Sequence, residues 1–180
     1  MVPPQILTAT GRYFDFTRPT WDMIDIEDIA IALSRMPRFT GHTTSFYSVA
    51  QHSVLVSRHV PEEYALQGLL HDATEAYMGD MSTPLKQLIP AYKEIEHRVE
   101  QAICERFGLP FPLHPSIKAA DLRMLVTERR DLMPKPLAPR TDREAWTAFN
   151  GIEPYHWGVW PQPSRMARNA FIDRFKQLTS

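Results

Sequence analysis

The sequence predicts a mostly α-helical bundle with a short β-hairpin at its N-terminal end. From Asp25 onward, apolar residues recur with the helical period, and prolines and glycines cut the chain into segments of helical length. Only the first residues have a strand-like pattern. A chain of 180 residues can bury a sizeable core. We therefore expect one domain over 1–180, with a hairpin and loop over 1–24 and an extension over 134–180 that packs on the same domain.

Composition excludes several classes of protein. The 20 basic and 21 acidic residues nearly cancel, which gives no sign of a surface for nucleic-acid polymers. The single cysteine, Cys104, excludes an intrachain disulfide and a cysteine-rich zinc site, and it fits a reducing compartment. No apolar run has the length of a membrane span, and the first residues lack the layout of a signal peptide. We therefore expect a cytoplasmic protein without membrane contact.

The elements of the first half follow from turn and cap residues. Short apolar runs on either side of Thr10-Gly11 predict a hairpin over Gln5–Phe16. A helix is expected from Asp25 to the region of Pro37, where proline ends it. Two further helices are then expected, one over 46–59 with Ser45 as its cap and one that starts at Pro61 and stops at Gly79.

The second half is divided in the same way. A serine and a threonine before Pro84 indicate a helix start, and Gly108 and Pro115 separate two long helices. Three prolines after Met133 predict a stiff linker. The helices expected beyond residue 90 lie over 92–107, 116–133, 143–149 and 164–178.

The chemistry concentrates around His71-Asp72, which we expect inside a helix. The pair follows Gly68-Leu69-Leu70, so the chain enters it from an apolar stretch. Charged groups that point into a core must be paired or coordinated, because an uncompensated buried charge costs several kcal/mol. Glu75 lies on the same helix face, at i+4 from His71.

His52 and Asp121 repeat this pattern on two other predicted helices. Each lies among apolar neighbours, although a histidine there is often only a satisfied core residue, and an aspartate can bond to local backbone. Taken together, three helices direct two imidazoles and two carboxylates inward. This donor set suits one divalent ion such as Zn, Mn, Co or Fe(II). The absence of a second cysteine and of an H-E-x-x-H motif excludes zinc-finger and zincin sites.

The order His…His-Asp…Asp resembles the HD phosphohydrolase superfamily. The resemblance is closest to the branch that contains bacterial 5′-deoxynucleotidases of the YfbR type and prophage proteins of the YfdR type, to which a cyanophage dATP triphosphohydrolase is related. It extends from about Thr10 to Leu132. The segments that carry it are Phe46–Ser53, Leu70–Ala76, Gly79–Lys86, Ala120-Asp121 and Thr127–Leu132.

The resemblance implies a metal site and a catalytic carboxylate. The metal ligands of that family are matched by His52, His71, Asp72 and Asp121. Asp72 is also expected to be a catalytic residue. Glu75 matches a carboxylate that lies close to the substrate phosphate and the attacking water. One divalent transition-metal ion per subunit is implied.

Substrate contacts are implied for three more residues. Asp80 matches a residue that contacts the sugar 3′-hydroxyl and favours deoxyribose. Arg35 resembles the arginine of an Arg-Trp-Pro element, although Met36 stands here where relatives often have tryptophan. Lys86 is a candidate phosphate partner, with a solvated surface lysine as the alternative. The charge run over 128–131 is expected to form structural ion pairs.

These residues favour a nucleotide phosphohydrolase that acts on a small-molecule substrate. The resemblance points first to a 5′-deoxynucleotidase that converts a dNMP to deoxynucleoside and phosphate. A dNTP triphosphohydrolase that releases triphosphate uses the same constellation and remains an alternative. An inactive HD module that binds metal or nucleotide is the alternative from another class. Relatives assemble as homo-oligomers, so a homo-oligomer is expected here.

Overall fold

A computed structural model describes residues 3–138 and 144–180, and it confirms the predicted mostly α-helical fold with one small hairpin. No helix within these ranges is both long enough and apolar enough to span a bilayer. The elements are β1 (Gln5–Leu7), β2 (Tyr13–Asp15), α1 (Ile26–Arg35), α2 (Val49–Ser57), α3 (Ala65–Leu70), α4 (Glu75–Met78), α5 (Thr83–Lys86), α6 (Pro90–Phe107), α7 (Pro115–Leu132) and α8 (Ser164–Thr179).

The N-terminal hairpin is antiparallel, and it is fastened to α1. Ile6 pairs with Phe14, and the chain turns at Gly11, whose positive φ of 85° suits glycine. Asp28 of α1 accepts hydrogen bonds from the backbone N and the hydroxyl of Thr10, both at 2.7 Å. The hairpin is therefore part of the body rather than a free arm.

The start of α2 corrects the sequence prediction. We expected a helix from residue 46 with Ser45 as its cap, but α2 begins at Val49, and the Ser48 hydroxyl accepts the cap bond from the Gln51 N at 3.2 Å. A bridge between Pro37 and Ser48 holds the preceding residues extended. This pairing to the end of α1 replaces the first predicted turn of the helix.

The predicted helix from Pro61 to Gly79 is interrupted, which is a second correction. A 3₁₀ turn over Glu62–Tyr64 precedes α3, and the chain between α3 and α4 forms tight turns. His71 and Asp72 lie in this interruption and not inside a regular helix. Adjacent residues of an α-helix do not face each other. The tight turn nevertheless brings His71 Nε2 and Asp72 Oδ2 to 3.3 Å.

The C-terminal helix α8 completes the main core. It packs against α1, α2 and α3, and its Ala167 and Phe171 are fully buried. Of the short helix expected over 143–149, a 3₁₀ turn over Thr147–Phe149 is present, while residue 143 lies outside the described residues.

A segment before α8, residues 155–162, ties α2 to α7. The Gln51 amide of α2 donates to the Trp160 carbonyl at 2.7 Å and accepts from the Gln162 N at 2.8 Å. Asp131 of α7 accepts from the Val159 N at 2.9 Å. The segment therefore braces the two helices that carry His52 and Asp121.

Candidate metal centre

Three side chains from two separate parts of the chain meet at one point. His52 comes from α2, and His71 and Asp72 come from the turn after α3. His52 Nε2 lies 3.3 Å from His71 Nε2 and 3.6 Å from Asp72 Oδ2. One ligand atom from each of the three residues lies within 4.8 Å of the other two, so they form a group that could hold a metal ion.

Asp121 approaches the same point from α7. Its Oδ1 lies 3.3 Å from His52 Nε2 and 4.0 Å from His71 Nε2. Its other oxygen, Oδ2, accepts a hydrogen bond from Lys118 at 2.8 Å. The structure therefore brings together all four residues that the sequence predicts as metal ligands.

Each imidazole has a hydrogen-bond partner at Nδ1, the nitrogen that faces away from the common point. His71 Nδ1 donates to the Gly68 carbonyl at 2.8 Å, and His52 Nδ1 lies 2.6 Å from Glu128 Oε1. Both Nε2 atoms therefore face the common point. An imidazole whose outer nitrogen is bonded in this way is a typical metal ligand.

Glu128 is a residue of the site that our sequence analysis missed. We grouped it with the ion pairs of the 128–131 run, and Arg130 and Asp131 do form such a pair at 2.6 Å. Glu128 instead is 0 % exposed and accepts a hydrogen bond from the Tyr47 hydroxyl at 2.7 Å. Its spacing of seven residues from Asp121, two helical turns, places both on one face and was a usable signal.

Arg38 is the second residue that we missed. Its Nη1 lies 3.3 Å from Asp72 Oδ2 and its Nε lies 3.1 Å from Glu128 Oε2. Arg35, which we selected instead, is exposed at the last position of α1, and no described contact joins it to the centre. The bridge that pairs the chain after α1 with the start of α2 places Arg38 here, because its N donates to the Tyr47 carbonyl at 2.9 Å.

The predicted substrate residues flank this centre. Glu75 is only 7 % exposed, and its Oε2 has no hydrogen-bond partner among the described residues. The Asp80 N lies 3.1 Å from Met36 Sδ, so the Arg35-Met36-Pro37 element does border Asp80. Lys86 forms an ion pair with Glu96 at 2.6 Å. From the sequence we considered it as a phosphate partner or a solvated surface lysine, and neither describes this contact.

Electrostatics at the centre keep its charged groups ionised. Burial and the Arg38 charge lower the pKa of His52, but Glu128 and the bond to Asp121 outweigh them and raise the pKa to about 9. Burial opposes ionisation of Asp72 and Asp121, yet the nearby histidines and Arg38 hold both carboxyl pKa values well below their usual range.

The two flanking carboxyls behave in the opposite way. Burial, followed by the charges of Asp72 and Asp80, raises the pKa of Glu75 well above its usual value. Burial also raises the pKa of Asp80, although Arg38 opposes it. Glu75 is therefore a carboxyl that keeps its proton to higher pH than an ordinary glutamate, beside carboxylates that lose theirs more readily than usual.

The donor set fits a divalent cation. Two imidazole nitrogens and two carboxylate oxygens converge, and Glu75 adds a buried oxygen without a partner among the described residues. Histidine and carboxylate donors in this mixture are typical of catalytic sites for zinc and similar transition metals. A cation held by these residues would be able to bind a phosphate ester.

Comparisons with known proteins identify the family of this chain. The YfbR-like 5′-deoxynucleotidase family matches residues 39–128, a range that holds all four predicted ligands. The uncharacterized protein YfdR of Escherichia coli K12 is 43% identical over 175 residues, covering 97% of this chain and 95% of YfdR. An uncharacterized protein of Rhodobacter capsulatus is 43% identical over 62% of this chain and 64% of its own length. A 5′-deoxynucleotidase of Photobacterium profundum is 36% identical over 41% of this chain and 32% of its own length.

Proposed function

Because this chain belongs to the YfbR-like 5′-deoxynucleotidase family, we propose that it is a metal-dependent 5′-deoxynucleotidase. The family and the nucleotidase relative support hydrolysis of a nucleotide phosphate ester. The narrower proposal is that a dNMP is converted to a deoxynucleoside and phosphate. The single observation that carries metal-dependent phosphohydrolysis is the convergence of His52, His71, Asp72 and Asp121 on one point, whereas the choice of a dNMP as substrate is supported by the family.

These four residues would hold one divalent ion per subunit, namely Zn, Mn, Co or Fe(II). A cation bound there supplies Lewis-acid chemistry, in that it polarises a phosphoryl oxygen and makes water more acidic. The chain's own residues supply the remaining steps.

Glu75 is the proposed proton carrier. Water attacks phosphorus, the bond from phosphorus to the 5′-oxygen breaks, and the leaving oxygen needs a proton. Glu75 is buried beside Asp72, and its Oε2 has no described protein partner. Because burial and the nearby carboxylates raise the pKa of Glu75, its protonated form is favoured, and it can donate to the leaving oxygen or orient the water.

Arg38 is the proposed partner of the substrate phosphate. Two of its guanidinium nitrogens are bound to Asp72 and Glu128, while Nη2 has no hydrogen-bond partner among the described residues. The buried carboxylates raise the pKa of Arg38 against the effect of burial, so it stays charged. A fixed guanidinium with a spare donor suits a phosphate oxygen.

Contacts to the sugar follow from the resemblance. We propose that Asp80 accepts a hydrogen bond from the 3′-hydroxyl, which favours deoxyribose, and that Arg35 contacts the substrate from the rim. Met36, which touches the Asp80 N, would then border the sugar or base. Lys86 would approach a phosphate only after leaving Glu96.

A dNTP triphosphohydrolase is the second candidate, and one observation favours it. The Lys118 side chain is 70% exposed, and its ammonium lies 2.8 Å from Asp121 Oδ2. An exposed ammonium at that position would reach the β- and γ-phosphates of a longer substrate after leaving Asp121.

A substrate panel tests the proposal and separates the candidates. The purified protein is analysed for metal and then assayed with dNMPs and dNTPs, with detection of phosphate and of triphosphate. We expect phosphate release from dNMPs that is abolished in the H71A/D72A double variant and retained in H156A, since His156 is exposed outside the centre. Triphosphate release favours the second candidate. Bound metal without turnover favours an inactive binding module and refutes both enzymes.

A further inference from the structure

We infer that Glu128 is a positioning residue, which holds His52 in the tautomer and orientation that leave Nε2 free for the metal. The inference rests on the proposed function, because it assigns a role toward the cation of that same centre. Glu128 is not a predicted ligand, and it lies behind His52 rather than beside the substrate space.

The geometry at Nδ1 specifies the tautomer. Glu128 Oε1 lies 2.6 Å from His52 Nδ1, and both side chains are fully buried, so water cannot replace either partner. An ionised carboxylate can only accept hydrogen bonds, so Nδ1 must carry the hydrogen. The lone pair of a neutral His52 then resides on Nε2, which faces His71 and Asp121.

The Glu128 carboxylate is itself held rigidly. The Tyr47 hydroxyl donates to Oε1 at 2.7 Å, and Arg38 Nε donates to Oε2 at 3.1 Å. With His52 Nδ1, three donors from two separate parts of the chain fix the plane of the carboxylate. Arg38 also reaches Asp72 at 3.3 Å, so the same network connects two of the predicted ligands.

The two histidines are supported unequally. His71 Nδ1 donates to a neutral backbone carbonyl, that of Gly68, whereas His52 Nδ1 faces a charged carboxylate. A carboxylate partner makes an imidazole a stronger donor to a metal and fixes the orientation of its ring. We therefore expect the affinity for metal to depend on Glu128 and not only on the ligands.

Metal affinity measures this role without reliance on turnover. Co(II) is titrated into metal-free wild-type protein, E128Q and Y47F, followed by visible absorption and calorimetry. Loss of a carboxylate behind a ligand weakens metal binding by about 10- to 100-fold, which we expect for E128Q when affinities are compared at their high-pH limit, where no proton competes for His52 Nε2. Y47F, which removes one of the three bonds to Glu128, should weaken binding less.

The matched control is D131N on the same helix. Asp131 holds the Val159 N and Arg130, and no described contact joins it to the centre. D131N should lower the unfolding temperature yet bind Co(II) as the wild type does. A role of Glu128 in folding alone would give E128Q this same result, namely lower stability with wild-type affinity, and that result overturns the inference.

Two further outcomes are decisive. Should E128Q fail to fold, as judged by circular dichroism, the tautomer is read from histidine nitrogen shifts of the ¹⁵N-labelled, Zn(II)-loaded wild type. Hydrogen on His52 Nδ1 supports the inference, and hydrogen on Nε2 overturns it.

A wild-type protein that binds neither metal refutes the proposed function together with the inference, whereas normal wild-type binding with unaffected E128Q refutes the inference alone.

Discussion

Metal binding should strengthen as the pH rises from 7 toward 9. In the metal-free protein Glu128 and Asp121 raise the pKa of His52 to about 9, against burial and Arg38. The proton that must leave occupies Nε2, because Nδ1 donates to Glu128. A cation competes with that proton for the same nitrogen, so low pH opposes loading.

The size of the effect follows from this pKa. At pH 7, about two units below it, only about 1% of His52 is neutral, so the apparent affinity is about 100-fold below its limit at high pH. The affinity should rise about tenfold per pH unit over this range. Asp72 and Asp121 add nothing to the slope there, because their lowered pKa values keep them ionised.

Calorimetry with Mn(II) at pH 7, 7.5, 8 and 8.5 measures both the affinity and the protons released. Repeating each titration in buffers of different ionisation enthalpy gives the proton count, which should be about one per cation from His52. An affinity that does not change with pH, or binding without proton release, would refute the reasoning about His52.

Three other outcomes follow from the same contacts. Gln51→Ala removes both hydrogen bonds to the 155–162 segment and should lower the free energy of unfolding by about 2 kcal/mol, which corresponds to a fall in Tm of about 4–8 °C by calorimetry. As a control, Gln177→Ala at an exposed position should change the free energy of unfolding by under about 0.5 kcal/mol. If a dNTP is a substrate, Lys118→Ala should lower kcat/KM for it by about fivefold, the equivalent of an exposed ion pair of about 1 kcal/mol, and should lower kcat/KM for a dNMP less in a coupled phosphate assay. The pKa of His52 is higher in the folded protein than in the unfolded chain, so its protonation stabilises the metal-free protein fully below about pH 6.5, and this contribution is lost as the pH rises through about 9. Urea titrations at a series of pH values measure this loss, and a series without it would contradict the assignment.

Local patterns predicted most of the fold. Turn residues placed the hairpin, and Asp25, Gly108 and Pro115 marked helix ends within a few residues of where they lie. The apolar neighbours of His52 and Asp121 correctly indicated that both face inward. Helical periodicity and capping depend on near neighbours in the sequence, so a single chain carries that information.

Features set by distant contacts could not be predicted in the same way. Because Pro37 pairs with Ser48, α2 begins later in the sequence than predicted, and Arg38 rather than Arg35 points toward the centre. The interruption at His71-Asp72 breaks a pattern that is continuous in the sequence. Glu128 lies in a charge run, which is ordinarily a solvated face, and only the fold reveals its burial against His52.

The central claim is that one divalent ion lies among His52, His71, Asp72 and Asp121. Crystals grown with Mn(II) and measured near the manganese edge test it directly through an anomalous difference map. We expect one strong peak per subunit within bonding distance of both Nε2 atoms and of an oxygen from each aspartate. A map without a peak there, from crystals grown at saturating Mn(II), would contradict the account.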